Sequence, residues 1–465
     1  MTKHLPNTVQ KHCVGQISSP PWQKNTGLES LFTAFGIAGE CLLIVGGAVR
    51  DALRDYPCSD IDLATSATPS KMIAIGKMAG IPLRFVGKTA AGDEDGQGVA
   101  QRHGSITFIV AHQAYVITTF RQDCHTDGRH AEVISVDDLA IDAARRDFTV
   151  NALYADFRGN IYAPLPESLY DLTASVLRFI GDPAQRLEED CLRLLRYYRF
   201  YLHDRGDAAP VVIDGLNARG MTQLKEAKAL YYSIRDQQQR EGDEGDEGDE
   251  GDIDSIMASM VPSLKSLSLN RLFQELEPIL THEKGVVAAR RMEHIRVFHV
   301  LFPTHQSVLL QRILASPPPN PLSWTVWLWI LGVSKGPLQR TDTKQLRALN
   351  AMGKALASFP AHYLQWADDI GPRQIIDLGY CYSLMYPQHF SLPLGWEKTI
   401  VRIDSIPFPL QGRVLLQSGI SAGPHMGHLL NAVRQWWIKA KRRPDAAACL
   451  ARAHEIHEIH EKHRK

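Results

Sequence analysis

Leu42-Leu43-Ile44-Val45-Gly46-Gly47-Ala48-Val49-Arg50-Asp51, followed shortly by Asp60-Ile61-Asp62, is the stretch that decides how this chain folds. Four apolar residues read as a strand that stops at two glycines. A helix starts there and carries Arg50 one turn in. A second strand, expected over 61–64, brings in Asp60 and Asp62, and side chains two residues apart on a strand share a face. Converging carboxylates suit a hard divalent cation, and Mg²⁺ is usually held by one or two of them together with substrate phosphates. The glycines let backbone approach an anion closely. The helix start presents free N–H groups to phosphate, and Arg50 adds a fork for its oxygens. The pattern describes a site for a metal-bound nucleoside triphosphate, with Asp60 and Asp62 as metal ligands and Gly46, Gly47 and Arg50 on the phosphates. An isolated Asp-x-Asp would more often cap a turn; the glycines and arginine upstream carry the assignment.

Further motifs follow in order: Thr118-Thr119-Phe120-Arg121, Asp127-Gly128-Arg129-His130, Arg145-Arg146-Asp147-Phe148-Thr149-Val150-Asn151-Ala152-Leu153 and Glu189-Asp190-Cys191-Leu192-Arg193. With GGAVRD and DID, this series resembles the polymerase-β-type nucleotidyltransferases. It is most similar to the bacterial and eukaryotic class of tRNA nucleotidyltransferases (the CCA-adding enzymes) and to the related poly(A) polymerases. The resemblance is specific over about residues 40–200 and traceable from about 260 to 450, where Gly423-Pro424-His425-Met426-Gly427 and Trp436-Trp437 resemble the tail of one bacterial branch.

It implies an α+β chain: a small mixed α/β palm like that of polymerase β, then an all-helical neck, body and tail. It implies Mg²⁺ as cofactor, CTP and ATP as substrates, and tRNA as partner. Arg146, Asp147 and Asn151 are implied contacts to ribose and triphosphate. Asp190 and Arg193 are implied readers of the Watson–Crick edges of C and A, with Arg196 also at the nucleotide. Three rivals stand beside CCA addition: poly(A) synthesis, addition of only CC or only A, and a catalytically weakened RNA-binding homologue. Relatives making poly(A) commonly show DFD and an arginine-rich RRRF segment; here the residues are Asp60-Ile61-Asp62 and Leu83-Arg84-Phe85.

Two departures from the family pattern stand out. Val116 takes the place of a glutamate usual in the strand before TTFR, with Asp123 and Glu132 as neighbours that could replace it. The hinge segment Tyr162-Ala163-Pro164-Leu165-Pro166-Glu167-Ser168-Leu169-Tyr170-Asp171-Leu172 keeps Asp171 but has Ala163 for an acid and lacks glycine.

The 465 residues allow about three domains or layers. Expected boundaries are a poorly patterned lead-in at 1–28, a head at 29–162, a neck at 163–280 and a helical body and tail at 281–465. The net formal charge of zero hides a division: residues 261–465 hold 25 Lys/Arg against 14 Asp/Glu. A basic C-terminal half suits contact with a phosphate backbone, and Lys439, Lys441, Arg442 and Arg443 form a candidate RNA-binding patch. The repeat EGDEGDEGDEGD at Glu241–Asp252 lacks apolar residues, so a disordered insertion is expected over about 236–256. Seven scattered cysteines without a CxxC pair read as reduced thiols, and neither a bilayer-spanning run nor a signal peptide is evident. The expected location is the cytoplasm. Helices are expected over 69–79, 137–154 and 188–201, and a hairpin from 105–110 and 114–120. The repeating His454, His457, His460 and His463 read as part of a charged helix rather than a metal site.

Overall fold

The computed structural model describes the chain apart from residues 1–4, 59, 86–103, 127–130, 205–212, 214, 241–247, 334–350, 353, 357–369, 371, 389–395, 399, 401–407, 421–423, 441–442 and 465. It forms two compact units, one comprising residues 1–279 with 291–300, the other 280–290 with 301–465.

The first unit is built on ten strands: β1 (Cys13–Gln16), β2 (Leu42–Val45), β3 (Asp62–Thr65), β4 (Leu83–Arg84), β5 (Ser105–Val110), β6 (Gln113–Thr119), β7 (Arg121–Thr126), β8 (Ala131–Ser135), β9 (Tyr154–Ala155) and β10 (Asn160–Tyr162). Eight make one mixed sheet in the order β1-β10-β9-β2-β3-β6-β5-β4; β7 and β8 pair separately. Only the β3–β6 neighbours run parallel. All four residues of β2 are buried, as expected for a central strand covered on both faces.

Among the described residues, the helices that accompany the strands are α1 (Asn7–Gln10), α2 (Thr26–Ile37), α3 (Gly47–Leu53), α4 (Pro69–Met78) and α5 (Leu139–Ala144). Asn25 caps α2 by accepting from the Leu28 amide, and Thr68 caps α4 ahead of Pro69 at its first position. Leu43, Val45, Ala64, Phe120, Leu139, Ala143 and Tyr154 pack into one core. The expected hairpin forms as β5 and β6, and the 69–79 helix as α4.

Residues 6–28 are better ordered than their sequence suggests. β1 joins the main sheet through β10, and Val9, Val14 and Trp22 are buried. Isolated apolar residues anchor this segment, so it shows no period to read.

Beyond the strands come the helices α6 (Glu167–Thr173), α7 (Pro183–Glu189), α8 (Leu192–Asp204), α9 (Ala218–Arg240), α10 (Gly248–Met260) and α11 (Leu269–Leu280), across the segment expected as a neck. The helix expected over 188–201 breaks at Asp190, whose backbone is extended (φ −152°, ψ 101°). The Asp190 side chain accepts from the Leu192 amide at 3.1 Å, the local bond by which Asp competes with helix. The helix expected over 137–154 also fails after Ala144. Residues 147–149 pair with 178–180 instead: Ile180 N–H donates to the Asp147 carbonyl and Thr149 N–H to that of Arg178, both at 3.0 Å. The acidic stretch is helical at both ends of 241–247, since α9 reaches Arg240 and α10 begins at Gly248. That corrects the expected disorder for the flanks; the residues between lie outside the described set.

The second unit is helical, with segments including Ser307–Ala315, Trp324–Ile330, Pro372–Met385, Pro424–Lys439 and Ala446–Arg464. Its C-terminal core gathers Leu410, Leu415, Leu429, Val433, Trp437 and Cys449. Among the described residues no helix is long and apolar enough to cross a membrane.

Gly159 turns the chain between β9 and β10 at φ +87°, and a Cβ there would lie 2.5 Å from the Ile17 carbonyl oxygen. Gly159→Ala should destabilise the protein by about 2 kcal/mol, because both the conformation and the contact are unfavourable to a side chain. Urea unfolding with an unchanged midpoint would contradict this.

Candidate active site

β2 and β3 are antiparallel with Val45 opposite Asp62, so the second aspartate lies beside the end of the strand that leads into Gly46-Gly47. Gly46 has φ +75°, a region glycine enters without penalty. Its N–H donates to the Leu153 carbonyl, and its own carbonyl accepts from Val49 and Arg50 as α3 begins. Among the described residues, the Gly47 and Ala48 amides meet no backbone acceptor.

Asp60 and Asp62 are both exposed at the carboxylate end of the site. The surrounding protein removes enough hydration to raise the Asp62 pKa, and the Asp60 charge raises it further; Arg146 and Arg196 act in the opposite sense. Two like charges side by side, with oxygen as the only donor atom, fit a hard divalent cation. The β3–β6 register pairs Leu63 with Ile117. One residue earlier, that register sets Val116 beside Asp62, and Val116 is 41% exposed. An apolar side chain thus stands open to solvent in register with Asp62, at the position where the family pattern carries a glutamate. The side chains of Asp123 and Glu132 lie outside the described set.

A chain of hydrogen bonds ties this strand end to the neck. Arg50 Nη1 donates to Asn151 Oδ1 at 2.8 Å, and Asn151 Nδ2 to Asp147 Oδ1 at 3.2 Å. Arg196 Nε donates to Asp147 Oδ2 at 2.6 Å. Beyond it, Arg196 and Arg199 face the buried Glu275 of α11 at 3.7 and 2.7 Å. Burial alone would raise the Asp147 pKa, but Arg196, Asn151 and the Phe148 amide more than offset it and hold the carboxyl below its usual value. The expected Asp147–Asn151 pairing forms, though not on a helix: Asn151 ends a single 3₁₀ turn. Arg50 does not present the open fork expected of it. It is buried, with Asp51 on its Nε and Nη2 atoms.

Arg146 is anchored inward. Its Nη2 donates to Asp142 Oδ2 at 2.8 Å and its Nε to the Tyr154 hydroxyl at 2.9 Å, while that hydroxyl donates to Asp142 Oδ2 at 2.7 Å. Arg145 Nη2 meets Asp142 Oδ1 at 2.7 Å. Desolvation opposes ionisation of the fully buried Asp142, yet Arg146 and Arg145 keep its pKa far below the normal range.

The Arg193 N–H donates to the Asp190 carbonyl at 3.0 Å, but no described hydrogen bond joins their side chains. Asp190 Oδ1 takes the Leu192 amide and Oδ2 takes Arg271 Nη2 at 3.0 Å. Arg193 Nη1 donates to Glu189 Oε2 and the Arg186 carbonyl, and its Nη2 to the Arg145 carbonyl. The arrangement fixes both groups and leaves the Arg193 Nε–H and one Nη2 hydrogen. In the hinge, Asp171 is buried and accepts from Thr149 and Arg178; burial lifts its pKa to about 6 against those partners.

The other expected residues are placed only in part. Asp127–His130 lies outside the described residues. Lys439 ends a helix, but its side chain, Lys441 and Arg442 are not described; Arg443 is exposed. Sequence reasoning missed Asp142, Arg199, Arg271 and Glu275. Arg193, Arg196 and Arg199 recur every third residue, a helical spacing that could have signalled Arg199; nothing comparable marks Arg271 or Glu275, which act from a helix far along the chain.

Residues 42–178 match the family model for the "Poly A polymerase head domain", and 251–309 match that for the "Probable RNA and SrmB- binding site of polymerase A". Over these two stretches the chain is similar to the CCA-adding enzyme and poly(A) polymerase family of nucleotidyltransferases. It is 38% identical over 213 residues to the human mitochondrial CCA tRNA nucleotidyltransferase 1, across 44% of this chain and 46% of that protein. It is 39% identical over 158 residues to the CCA-adding enzyme of Enterococcus faecalis, across 34% of each. These matches span about half or less of the curated relatives' length. The fold is similar to that of the Bacillus stearothermophilus CCA-adding enzyme solved with CTP, with TM-score 0.57, 23% identity, and 96% and 100% of the two chains covered.

Asp142→Asn should cost about 3 kcal/mol of stability, because it leaves two partly buried guanidinium groups without their counter-charge. Chemical unfolding within 1 kcal/mol of wild type, on the order of experimental scatter, would refute that account.

Proposed function

We propose that this protein is a template-independent tRNA nucleotidyltransferase that adds C, C and A to tRNA 3′ ends from CTP and ATP, with pyrophosphate leaving. The observation that carries the proposal is the hydrogen-bond chain Arg50–Asn151–Asp147–Arg196, which joins three separate sequence motifs beside Asp62. The names of its relatives and the CTP-bound fold neighbour support the same reading.

Asp60 and Asp62 hold the metal ion, and an all-oxygen pair favours Mg²⁺. A divalent ion held by these two carboxylates would supply charge neutralisation at the reacting phosphate. The chain's own groups bind and orient. Gly46, Gly47 and the α3 amides lie along the phosphates, and Arg146 and Arg196 balance charge near Asp62. Asn151 and Asp147 face the ribose and keep the two elements in register. The RNA 3′-hydroxyl attacks the α-phosphate in line, so catalysis is chiefly positioning and electrostatics.

Base choice rests on Asp190 and Arg193. Cytosine and adenine each offer an amino donor beside a ring acceptor. Asp190 accepts from the amino group, and the remaining Arg193 donors meet the ring nitrogen. Guanine and uracil present the reverse and leave polar groups unpaired. Arg271 and the Leu192 amide hold the Asp190 carboxylate in one plane for that task.

The head at 29–162 carries the chemistry, the neck at 163–280 reads the base, and the basic body and tail at 281–465 grip the acceptor arm by shape and phosphates, with Lys439, Lys441, Arg442 and Arg443 among the contacts. The six described cysteines are free thiols, which fits a cytoplasmic enzyme.

The test supplies Mg²⁺ and tRNA ending before CCA with each nucleotide singly, then CTP with ATP. Growth by C, C and one A is expected, with incorporation lost in the Asp60→Ala/Asp62→Ala double variant and its melting temperature retained. A long A tail from ATP alone would replace this reading with poly(A) synthesis; CC or A alone would divide the pathway.

Val116→Glu should restore a third carboxylate at the metal site. The Mg²⁺ concentration for half-maximal transfer should fall roughly tenfold, since affinity follows the charge of the ligand set. An unchanged Mg²⁺ titration would mean that the position does not reach the ion.

A further inference from the structure

The guanidinium carbons of three arginines crowd one aromatic ring. Arg50 lies 4.9 Å from the Phe200 ring centroid, Arg196 5.4 Å and Arg199 4.6 Å. Arg50 comes from α3, directly after the two glycines; the other two come from α8. Phe200 is buried and meets Phe148 edge-on at 5.5 Å, so its orientation is set by the core. Three like charges in so small a space repel one another. Asp51, Asp147 and Glu275 offset part of that repulsion. The Arg199 pairing is imperfect: its Nε is close to Glu275 Oε2 but out of hydrogen-bonding alignment.

An aromatic ring attracts a cation through its quadrupole, most strongly where water is excluded. A leucine of similar bulk would fill the space and supply none of that attraction. Arg196 and Arg199 are still about a third exposed, at 32% and 28%. They retain N–H groups for an oxyanion, while the buried Arg50 fixes the inner side of the cluster.

We propose that Phe200 is a positioning residue whose ring gathers Arg50, Arg196 and Arg199 into one cluster, in which Arg196 and Arg199 take the phosphate oxygens of the nucleoside triphosphate. This rests on the nucleotidyltransferase reading and adds to it a residue with no polar atom. The ring joins the glycine-turn helix to the base-reading helix by electrostatics, so the triphosphate and base subsites are held at a fixed separation.

Replacing Phe200 with phenylalanines bearing one, two and three ring fluorines weakens the quadrupole stepwise and barely changes shape. Inorganic tripolyphosphate binding to the full-length protein is then measured by calorimetry. The dissociation constant should rise with each fluorine, reaching about tenfold at three, and Phe200→Leu should match the trifluoro protein. Melting temperatures should stay level across the fluorinated series. A flat series, or no binding of tripolyphosphate by the unmodified protein, overturns the inference. A rising series in a protein that transfers no nucleotide would preserve the inference about the polyphosphate cluster and overturn the functional reading instead.

Discussion

The ion pair between buried Asp147 and part-exposed Arg196 is the constraint on which the rest of the site depends. Arg196 Nε lies 2.6 Å from one oxygen of Asp147, and the other oxygen accepts from Asn151 and the Phe148 amide. A buried carboxylate such as Asp147 is tolerated only when its remaining hydrogen-bonding positions are met. Here they are met by a side chain that also holds Arg50, so the glycine turn, the 146–151 segment and α8 are fixed by one set of bonds. Loss of any member would leave a charged or polar group buried without its partner, which is costlier than the net worth of the bond.

A second network limits how the metal end of the site can move. Asp142, Tyr154, Arg145 and Arg146 close on one another beneath the aspartates. Tyr154 sits in β9, which pairs with β2, so Arg146 is tied to the central sheet. Arg146 therefore acts on Asp62 as a fixed charge, and a fixed charge costs no reorganisation when substrate arrives. Arg146 and Arg196 are thus each held by a network of their own, and both act on Asp62.

Much of this was legible in the sequence, and the reasons differ by residue. The strand, glycine turn and paired aspartates follow from local pattern, because period and turn chemistry are read over a few residues. The helix expected across 188–201 broke at Asp190, and the one expected across 137–154 ended at Ala144, ahead of Asp147. Asp190 caps the Leu192 amide, and Asp147 lends its carbonyl to Ile180 and its carboxylate to the Phe148 amide. Apolar periodicity does not register that competition between side chain and helix. Arg271 and Glu275 could not be found locally, since they reach the site through tertiary packing of α11.

Those two failures share a cause that bears on function. A residue on a continuous helix points where the helix directs it. An aspartate outside a regular helix has its carboxylate oriented by the groups it bonds, independently of helical phase. Asp147 and Asp190 are both held this way, each with one oxygen on a backbone N–H and the other on an arginine from another element. A carboxylate fixed at both oxygens has a defined plane, and a defined plane is what discrimination between donor patterns on a base requires. The departures from regular helix thus fall where orientation matters most, and local rules are expected to fail first at such positions.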